Sequence, residues 1–327
     1  MVKCSQEEAL VLHRSATVLD AHCDTLTVLG PQERSLSERS AKGHLDLPRL
    51  ALGGVRVQFF AAFIAPEFKH APVARALELI DRFYRELEQN AHLLHLVERA
   101  ADIETALAAG KIAALLAVEG GEALGGELFV LRTLYRLGVR SLTLTWNGRN
   151  ELADGVGEAA GGGGLTRFGK SVVREMNALG MLVDVSHLAE RGFWDVLETS
   201  AHPVIASHSN CRALLDHPRN LNDRQLKALA EKGGVAGITF VPEFLAGEGA
   251  SLEHVLDHID HAVRVGGVES VGLGSDFDGV DSLPAGLDDC SLYPAITRGL
   301  VARGYGGREV EMILGGNFLR VIRQVLR

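Results

Sequence analysis

The 327-residue sequence predicts a (β/α)₈ barrel, also called a TIM barrel, with extra helices at its C-terminal end. Short apolar segments are followed by amphipathic ones, and this order occurs eight times along the chain, as in barrels of this class. The apolar segments lack strict alternation of apolar and polar residues, which is typical of parallel strands covered on both faces. No charged block and no linker rich in Pro and Ser divides the chain, so we expect residues 1–327 to form one domain. A doubly wound parallel sheet is the alternative.

The predicted strands are short and rich in β-branched residues and leucine. In chain order they comprise residues 17–21, 55–63, 112–118, 141–145, 181–185, 204–207, 235–240 and 271–274. Even the longest apolar segments, such as residues 112–118, fall far short of the ~20 residues that span a bilayer. We therefore expect no contact with a membrane.

The segments between the strands carry apolar residues at the spacing of one helix face. In residues 74–97 the apolar positions include Leu77, Ile80, Phe83, Leu87 and Leu94. Similar patterns occur in residues 166–179, 223–230 and 252–265. Three more helices are predicted after the last strand, at residues 293–303, 309–314 and 317–326, and we expect them to pack outside the barrel.

The charge and the cysteines exclude several classes of protein. The chain has 33 basic and 42 acidic residues, a net charge of −9, which argues against nucleic acid as a partner because phosphates need a basic surface. Residues 1–12 contain Glu7 and Glu8 and no apolar core, so they are unlike a signal peptide. The cysteines show no CxxC spacing, which predicts reduced thiols and a cytoplasmic protein. They are Cys4, Cys23, Cys211 and Cys290.

Side chains that bind metals or move protons follow five of the predicted strands. They are His22 and Asp24 after the first strand, Glu119 after the third, His187 after the fifth, His208 after the sixth and Asp276 after the eighth. Barrels place their active sites at these C-terminal strand ends. Any one of these residues alone is more commonly a hydrogen-bonded core residue or part of a turn. Six together would cost several kcal/mol unless they are paired or bind metal.

The types of these side chains predict the metal. Imidazole and carboxylate ligands without a thiolate suit zinc, and less specifically other divalent ions such as Mn, Co or Fe. With Asp276 reserved for proton transfer, five ligands exceed the three expected for one catalytic zinc. They suit two ions that share one carboxylate, with a hydroxide between them. We therefore expect two Zn²⁺ per chain, or two other divalent metal ions.

Nine motifs run in order along nearly the whole chain. They are DAHCDT at 20–25, DLPRLALGGVRVQFFA at 46–61, VEGGEAL at 118–124, RSLTLTWNGRNELADG at 140–155, GLTRFGKSVVREMNALGMLVDVSHL at 164–188, PVIASHSNCRAL at 203–214, HPRNLND at 217–223, GLGSDFDGV at 272–280 and GGNFLRVI at 315–322. With these motifs the chain resembles the membrane (renal) dipeptidases, a metallopeptidase family of the amidohydrolase superfamily. The resemblance implies an amidohydrolase-like barrel and a metal-dependent hydrolase.

The resemblance also implies how the metal ligands are divided. His22, Asp24 and Glu119 would bind one zinc, and Glu119, His187 and His208 would bind the other, so Glu119 would bridge the two ions. A hydroxide between the ions would attack the carbonyl of a dipeptide substrate.

Two further roles follow from the same resemblance. Asp276 would carry the proton of the attacking group to the leaving amine. Arg219 would bind the C-terminal carboxylate of the dipeptide, for which its planar guanidinium is suited. Taken without the family, Arg219 is better interpreted as a surface residue after a proline turn. Relatives accept a D-residue at the C-terminal position of the dipeptide, and many form homodimers, so we expect both as options for this protein.

One position departs from the family pattern. Mammalian members have a histidine after the fourth strand that is thought to hold the carbonyl oxygen during attack, and this chain has Trp146. Trp has one N–H donor and cannot become positively charged. Asn147, Arg149 or Asn150 would then take over the contact, or the oxygen would rest on zinc alone. Alternatively, Trp146 forms an aromatic wall of the substrate pocket.

Two other function classes remain as alternatives. One is an amidohydrolase-type metal hydrolase that acts on a non-dipeptide amide or ester. Many such enzymes bridge their metals with a carboxylated Lys on the fourth strand, but residues 141–145 contain no Lys. The other is a metal-binding protein with weak activity, which the change to Trp146 makes conceivable.

A phosphate-binding motif and a group of histidines have simpler interpretations. Residues 164–171 match G-x-x-x-x-G-K-[ST], but a phosphate loop must join a strand end to a helix N-terminus, and here a glycine-rich loop intervenes. Apolar spacing instead places Gly169 and Lys170 inside a helix. His44 is expected to be a polar loop residue or to lie at the pocket rim. Three histidines are expected on a solvated helix face, namely His254, His258 and His261.

Overall fold

A computed structural model describes residues 6–327 of the chain, so Cys4 lies outside the described residues. Within these residues there are nine strands, and all pairings between them are parallel. The strands are β1 (Val18–Asp20), β2 (Val55–Phe63), β3 (Leu94–Leu96), β4 (Ile112–Glu119), β5 (Val139–Thr143), β6 (Leu182–Asp184), β7 (Ile205–Ala206), β8 (Val235–Ile238) and β9 (Val271–Leu273).

Eight of these strands close into a barrel. β1 pairs with β2 on one side and with β9 on the other, and β4 to β9 follow one another round the circle. β2 pairs directly with β4 from Val57↔Ala113 to Phe63↔Glu119, which completes the closure. In the described part of the chain, β3 pairs only with the first residues of β4 and stands outside the circle. The predicted (β/α)₈ barrel is confirmed, and the doubly wound sheet is wrong because that sheet would have open edges.

Helices surround the barrel and follow most of its strands. The α-helices in the described residues are α1 (Gln6–Ser15), α2 (Thr25–Val28), α3 (Leu47–Leu52), α4 (Pro72–Gln89), α5 (Ala100–Ala108), α6 (Leu128–Arg136), α7 (Arg167–Leu179), α8 (Glu190–Thr199), α9 (Asp223–Glu231), α10 (Pro242–Leu245), α11 (Leu252–Gly266), α12 (Tyr293–Ala302), α13 (Gly307–Glu311) and α14 (Asn317–Val325). Short 3₁₀ turns occur at Pro66–Phe68, Gly121–Leu124, Val156–Gly161, Val268–Ser270 and Cys290–Leu292, and a π-helical turn at Met312–Gly316.

The predicted helix at residues 74–97 is too long. α4 ends at Gln89, and Asn90 stops it by donating its side-chain amide to the Glu86 carbonyl. Leu94 then belongs to β3 and pairs with Ile112. Its apolar character, which fits the helical spacing, reflects burial against the neighbouring strand.

The phosphate-loop pattern at residues 164–171 is not a phosphate site. Thr166 caps α7 by accepting a hydrogen bond from the Gly169 N–H, so Gly169 and Lys170 are in the helix as predicted. A Cβ at Gly169 would collide with the Leu152 carbonyl. The glycine therefore allows close packing of the helix and leaves no room for a phosphate.

The apolar core has two layers. Outward-facing residues such as Phe60 and Leu116 pack against the surrounding helices. Inward-facing residues such as Leu19, Phe59 and Leu115 fill the interior of the barrel. This alternation follows from the two-residue period of each strand, and burial of both faces explains why the strands read as continuous apolar segments.

The last helix departs from the prediction that the C-terminal helices pack outside. α14 lies across the N-terminal end of the barrel and inserts Phe318 among the interior residues, where its ring lies 6.4 Å from that of Phe59. A Cβ at Gly272 would collide with the Phe318 ring, so the bare glycine backbone makes room for it. α14 is therefore the floor of the barrel, because its apolar face is covered only there.

Two further expectations can be checked within residues 6–327. None of the helices described there has both the length and the apolar composition that crossing a bilayer requires. Cys23, Cys211 and Cys290 are buried free thiols, as the absence of paired spacing predicts.

Candidate metal centre

His22 and Asp24 are placed by the chain that leaves β1. The His22 backbone N–H donates to Asp20 Oδ1, at 3.3 Å, and Asp20 also accepts from the backbone N–H and hydroxyl of Ser275 at 2.8 and 2.7 Å. His22 Nε2 and Asp24 Oδ2 are 3.4 Å apart, and both side chains are buried. The HxD spacing thus places both groups on the same side, as the extended-chain argument predicts.

Glu119, the last residue of β4, lies at the centre of the site. Its Oε2 is 3.6 Å from His22 Nε2. Its Oε1 is 3.0 Å from His187 Nε2 and 3.4 Å from His208 Nε2. The two carboxylate oxygens therefore face different histidines, which is the arrangement that a bridging carboxylate needs.

The hydrogen bonds of the two remaining histidines leave their Nε2 atoms without a proton. The Ser207 hydroxyl donates to Asp184, so His208 Nδ1–H must donate to Ser207 Oγ, at 2.7 Å. His187 Nδ1–H likewise donates to Asn147 Oδ1, at 2.8 Å. Each neutral ring carries one proton, so both Nε2 atoms present lone pairs.

These lone pairs converge on one point. His187 Nε2 and His208 Nε2 are 2.8 Å apart, and the Glu119 Oε1 that both face accepts no hydrogen bond. Asp24 Oδ1 is also buried without a hydrogen bond. Buried acceptors that face one another without a donor are costly unless a cation lies between them. The residues therefore fit a metal ion.

The clustering of ligand atoms agrees with this fit. Two groups have ligand atoms that all lie within 4.8 Å of one another, namely His22 with Glu119 and His208, and His22 with Asp24 and Asp276. His187 stands beside the first group through its contacts with Glu119 and His208. All six residues expected at the strand ends are thus brought together.

The protonation of the site follows from burial and charge. Burial, aided by the nearby Arg219, holds the pKa values of His187 and His208 well below the usual range, and neutral imidazole is the form that binds metals. Burial also lowers the pKa of His22, but Glu119 and Asp24 outweigh it and raise that pKa to about 10. For Glu119 burial raises the pKa well above its usual value, with His22 opposing, and a bound cation would favour the charged form.

Two aspartates for which the sequence predicted no role in the site position these ligands. Asp184 accepts from the Ser186 and Ser207 backbone N–H groups and from the Thr143 hydroxyl, in addition to the Ser207 hydroxyl. Asp20 does the same for the chain around His22. Each ends a strand two or three residues before a histidine ligand, in D-A-H and D-V-S-H, and that spacing could have revealed them.

The C-terminal end of the barrel contains strained backbone. His187, Asp276 and Asp278 have φ values of 66°, 69° and 67°, in the left-handed region that residues with a Cβ rarely adopt. Strained residues of this kind persist only where the surroundings hold them in place. A Cβ at Gly279 would collide with Asp276 and Asp24, so this glycine is required for the close approach of the two carboxylates.

Asp278 supplies part of that support. Its buried carboxylate accepts from the Thr25 hydroxyl at 2.7 Å, from the His44 backbone N–H at 2.6 Å and from Arg34. His44 Nδ1 in turn accepts from the Asp278 N–H at 3.0 Å. His44 is therefore a polar loop residue, as one of the two expectations for it states, and it anchors the chain beside the site.

A cavity of about 540 Å³ opens onto these groups. Trp146 and Asn147 both line it. The Trp146 ring lies 5.5 Å from that of Phe63 and 6.0 Å from that of His187, so it forms an aromatic wall. Asp276 also lines the cavity, and burial raises its pKa to about 6, with His22 opposing.

Two of the candidate replacements for the family histidine point elsewhere. Arg149 is paired with Asp154 at the surface. Asn150 donates to Glu122 and the Leu144 carbonyl, at 2.8 and 2.9 Å, and organises its own loop. Among the residues named for this role, Asn147 is the one that reaches the cavity.

Arg219 is not the surface residue that the local sequence alone suggests. It is only 3% exposed, lines the cavity and donates through Nη2 to the His208 carbonyl at 3.0 Å. Its Nε has no hydrogen-bond partner, and its guanidinium lies 5.3 Å from the centre of the Phe244 ring. Burial lowers its pKa to about 10 although Asp276 and Glu119 oppose the shift. A buried guanidinium with a free N–H is suited to a carboxylate.

The expectation that the histidines of α11 are solvated is wrong for two of them. His258 is buried, accepts from the Cys211 backbone N–H at 3.0 Å and donates to the Leu245 carbonyl at 2.9 Å. His261 is buried and contacts Asp223 at 2.7 Å. These contacts satisfy the rings individually, because α11 packs this face against its neighbours. His254 instead contacts Ser251 at the start of α11.

Comparisons with known proteins agree with the fold. The family model for membrane dipeptidases, peptidase family M19, matches residues 6–327. Dipeptidase verJ of Clonostachys rogersoniana is 36% identical over 97% of this chain and 86% of its own. The structure of dipeptidase AC, an M19 metallopeptidase, superposes with a TM-score of 0.90 at 31% identity, covering 95% of this chain and 99% of that one. A Rhodobacter sphaeroides metallopeptidase bound to a phosphinate mimic of L-Ala-D-Ala has a TM-score of 0.88 at 30% identity, with the same coverage.

Proposed function

Since the chain belongs to the membrane dipeptidase family, peptidase family M19, we propose that this dipeptidase works with two Zn²⁺ ions per chain. His22, Asp24 and Glu119 would hold one ion, and Glu119, His187 and His208 the other. The observation that carries the proposal is Glu119, whose two oxygens face different histidines. Bound zinc would supply an activated water and polarise the peptide carbonyl. Other divalent ions with the same ligand preferences could take the place of zinc.

The chain's own residues would supply the remaining steps. Asp276 lines the cavity with Oδ1 3.9 Å from His22 Nε2, so it stands beside the ligands, where it would carry a proton from the attacking water to the leaving amine. Asn147 uses Oδ1 to hold His187, and its amide N–H₂ would donate to the carbonyl oxygen of the substrate. Trp146 would pack against the substrate side chain rather than replace the missing histidine.

Arg219 would restrict the substrate to dipeptides. Its buried guanidinium lies in the same cavity as the metal ligands and can bind a carboxylate only at a set distance from the scissile bond. A longer peptide would place its terminal carboxylate beyond this residue. The neighbouring metallopeptidase bound to a mimic of L-Ala-D-Ala supports a C-terminal D-residue as a substrate here too.

Replacing Glu119 by Gln tests the bridge. The variant keeps the shape of the side chain and removes the charge that two cations share. We expect it to lose at least one zinc per chain and to hydrolyse L-Ala-L-Ala and L-Ala-D-Ala roughly a thousandfold more slowly or worse. Metal analysis and steady-state kinetics measure the two effects. Glu127→Gln, which removes an exposed carboxylate eight residues further along the chain, is the matched control. Two zinc ions and full turnover in the Glu119 variant would disprove the bridge.

Three further predictions from the sequence accompany this proposal. Residues 1–327 form one metal-dependent hydrolase domain, the protein works in the cytoplasm, and it can form a homodimer. Size-exclusion chromatography with light scattering checks the homodimer directly.

A further inference from the structure

Among the charged side chains that line the cavity, one has no role in the proposed reaction and no hydrogen-bond or ion-pair partner among the described residues. Asp24, Glu119 and His187 are candidate metal ligands, and Asp276 and Arg219 have proposed roles in the reaction. The remaining charged or titratable lining residues are Asp278, His217 and Glu243. The Asp278 carboxylate is fully engaged, and His217 accepts from the Arg219 backbone N–H at 3.2 Å. Glu243 forms no hydrogen bond or ion pair through its carboxylate with any described residue, and its side chain is exposed.

Glu243 stands on a rigid part of the cavity rim. It belongs to α10, and the following residue, Phe244, accepts a hydrogen bond from Asn220 Nδ2 at 2.9 Å. Asn220 follows Arg219 directly in the chain. His258 contacts the adjacent Leu245 carbonyl at 2.9 Å. The position of Glu243 relative to Arg219 is therefore fixed by hydrogen bonds to the two residues that follow it in α10.

The surroundings of Arg219 indicate where a substrate side chain would lie. Phe244 contacts the Arg219 guanidinium, and the His217 ring stacks on Phe244 with centres 4.6 Å apart. A carboxylate bound to Arg219 belongs to the C-terminal residue, so the side chain of that residue would extend along this aromatic wall. A long aliphatic side chain covers such a wall well and brings its end group to the rim, where Glu243 lies.

We infer that Glu243 selects dipeptides whose C-terminal residue has a basic side chain, Lys or Arg. This inference rests on the proposed function, since it needs Arg219 to bind the C-terminal carboxylate. The aliphatic part of the side chain packs against Phe244, and its ammonium or guanidinium group meets the free carboxylate of Glu243. An acidic C-terminal side chain is disfavoured by the same charge.

Two dipeptides that differ only in the C-terminal side chain test the inference. L-Ala-L-Lys and L-Ala-L-norleucine have nearly the same length, so the ratio of their kcat/KM values isolates the charge. The wild-type protein is expected to favour L-Ala-L-Lys. E243Q lowers the ratio about two- to fivefold, as expected for one partly exposed ion pair, and added salt shrinks the wild-type preference. E248Q removes an exposed carboxylate outside the cavity and keeps the wild-type ratio.

A charge reversal gives a second, independent measurement. E243K is expected to shift the preference toward L-Ala-L-Glu and against L-Ala-L-Lys. An unchanged Lys-to-norleucine ratio in both E243Q and E243K overturns the inference, and so does a wild-type protein that hydrolyses both dipeptides equally well. Failure of the proposed function looks different, because wild-type protein loaded with zinc would then hydrolyse none of these dipeptides, including L-Ala-L-Ala.

Discussion

The two ends of the barrel are built in opposite ways. At the C-terminal end, buried acceptors such as Glu119 Oε1 and Asp24 Oδ1 lack hydrogen bonds, and the backbone of His187 and Asp276 is left-handed. At the N-terminal end, α14 closes the barrel with the fully buried, apolar Phe318. One end therefore contains polar groups that are left for a ligand, and the other contains groups that are satisfied by the protein itself.

The contrast shows how one fold separates stability from function. Unsatisfied polar groups and strained backbone cost folding free energy, and a site keeps them only if the rest of the molecule holds them. The packed floor and the helices around the barrel supply that support. Substitutions at the two ends should therefore have different effects. Those at the floor should lower stability, and those at the C-terminal end should lower ligand affinity or turnover.

The largest expected effect on stability is at the floor. Phe318→Ala should lower the free energy of unfolding by about 3–5 kcal/mol, because it leaves a cavity among interior residues that cannot close up. Urea unfolding monitored by circular dichroism measures this. Activity per folded molecule should stay near that of the wild type. Phe129→Ala, which truncates a phenylalanine that is 59% exposed, is the control and should change stability little. A large loss of kcat/KM in folded Phe318→Ala protein would break the separation between the two ends.

Arg219→Ala should have the largest effect on substrate use without loss of metal. The variant removes the group proposed to bind the substrate carboxylate, so KM should rise. The fall in kcat/KM should correspond to a loss of about 2–4 kcal/mol of transition-state stabilisation. Zinc content, measured in parallel, should stay at the wild-type level. If kcat/KM for dipeptides is unchanged, Arg219 does not contact the substrate.

Asp184→Asn tests the hydrogen bonds that position the candidate metal ligands. The Asp184 carboxylate accepts from the Ser207 N–H, the Ser207 hydroxyl and the Thr143 hydroxyl, and an amide with one accepting oxygen cannot replace all three contacts. Ser207 then loses the partner that fixes the His208 ring. Zinc affinity should fall about 10- to 100-fold. Competition with a chelating dye measures the affinity. Equal affinity in the variant would mean that the orientation of His208 does not depend on this hydrogen-bond network.

The smallest expected effect is on the pH dependence of stability, at a buried histidine away from the metal ligands. His13 contacts Thr297 Oγ1 through Nδ1 at 2.7 Å and the Gly53 carbonyl through Nε2 at 2.9 Å. Burial lowers the pKa of His13 below 6.5; the hydrogen bond to Gly53 opposes this and Arg298 adds to it. Below pH 6.5 the unfolded chain takes up a proton more readily than the folded one. The stability that His13 contributes is thus complete above pH 6.5 and is lost as pH falls through its folded pKa.

The measurement compares urea unfolding of the wild type and His13→Gln at pH 7.5 and 5.5. The wild type should lose up to about 1 kcal/mol more on acidification than the variant does. Metal release at low pH affects both proteins and cancels in the comparison. Identical losses in the two proteins would show that His13 titrates alike in the folded and unfolded chains.

Much of the candidate site could be anticipated because the ligands are local features. His22 with Asp24, Glu119, His187 and His208 each lie at or just after the end of a strand, and closure of the barrel brings all strand ends together. The residues that support them were not anticipated. Asp20 and Asp184 precede histidine ligands at short spacings, but their partners Ser275 and Ser207 follow other strands, at no fixed separation along the chain.

The helical predictions failed where packing decides the outcome. An apolar stripe fits both a helix on the outside of a barrel and one across its end. α14 lies across the end because Gly272 leaves room for Phe318. His258 and His261 lie on a helix face that the pattern alone describes as polar. Their burial depends on Cys211 and on Asp223, which lies far away in the chain.

The order of strands, the types of ligand and the absence of Lys from β5 are properties of the chain itself, since periodicity and side-chain chemistry act over a few residues. Whether Glu119 stands between the histidines, whether Arg219 is buried beside them and which carboxylate at the rim stays unpaired were decided only when the barrel closed. Burial, charge partners and cavities are relations between distant segments, and free energies of that kind exist only in the folded molecule.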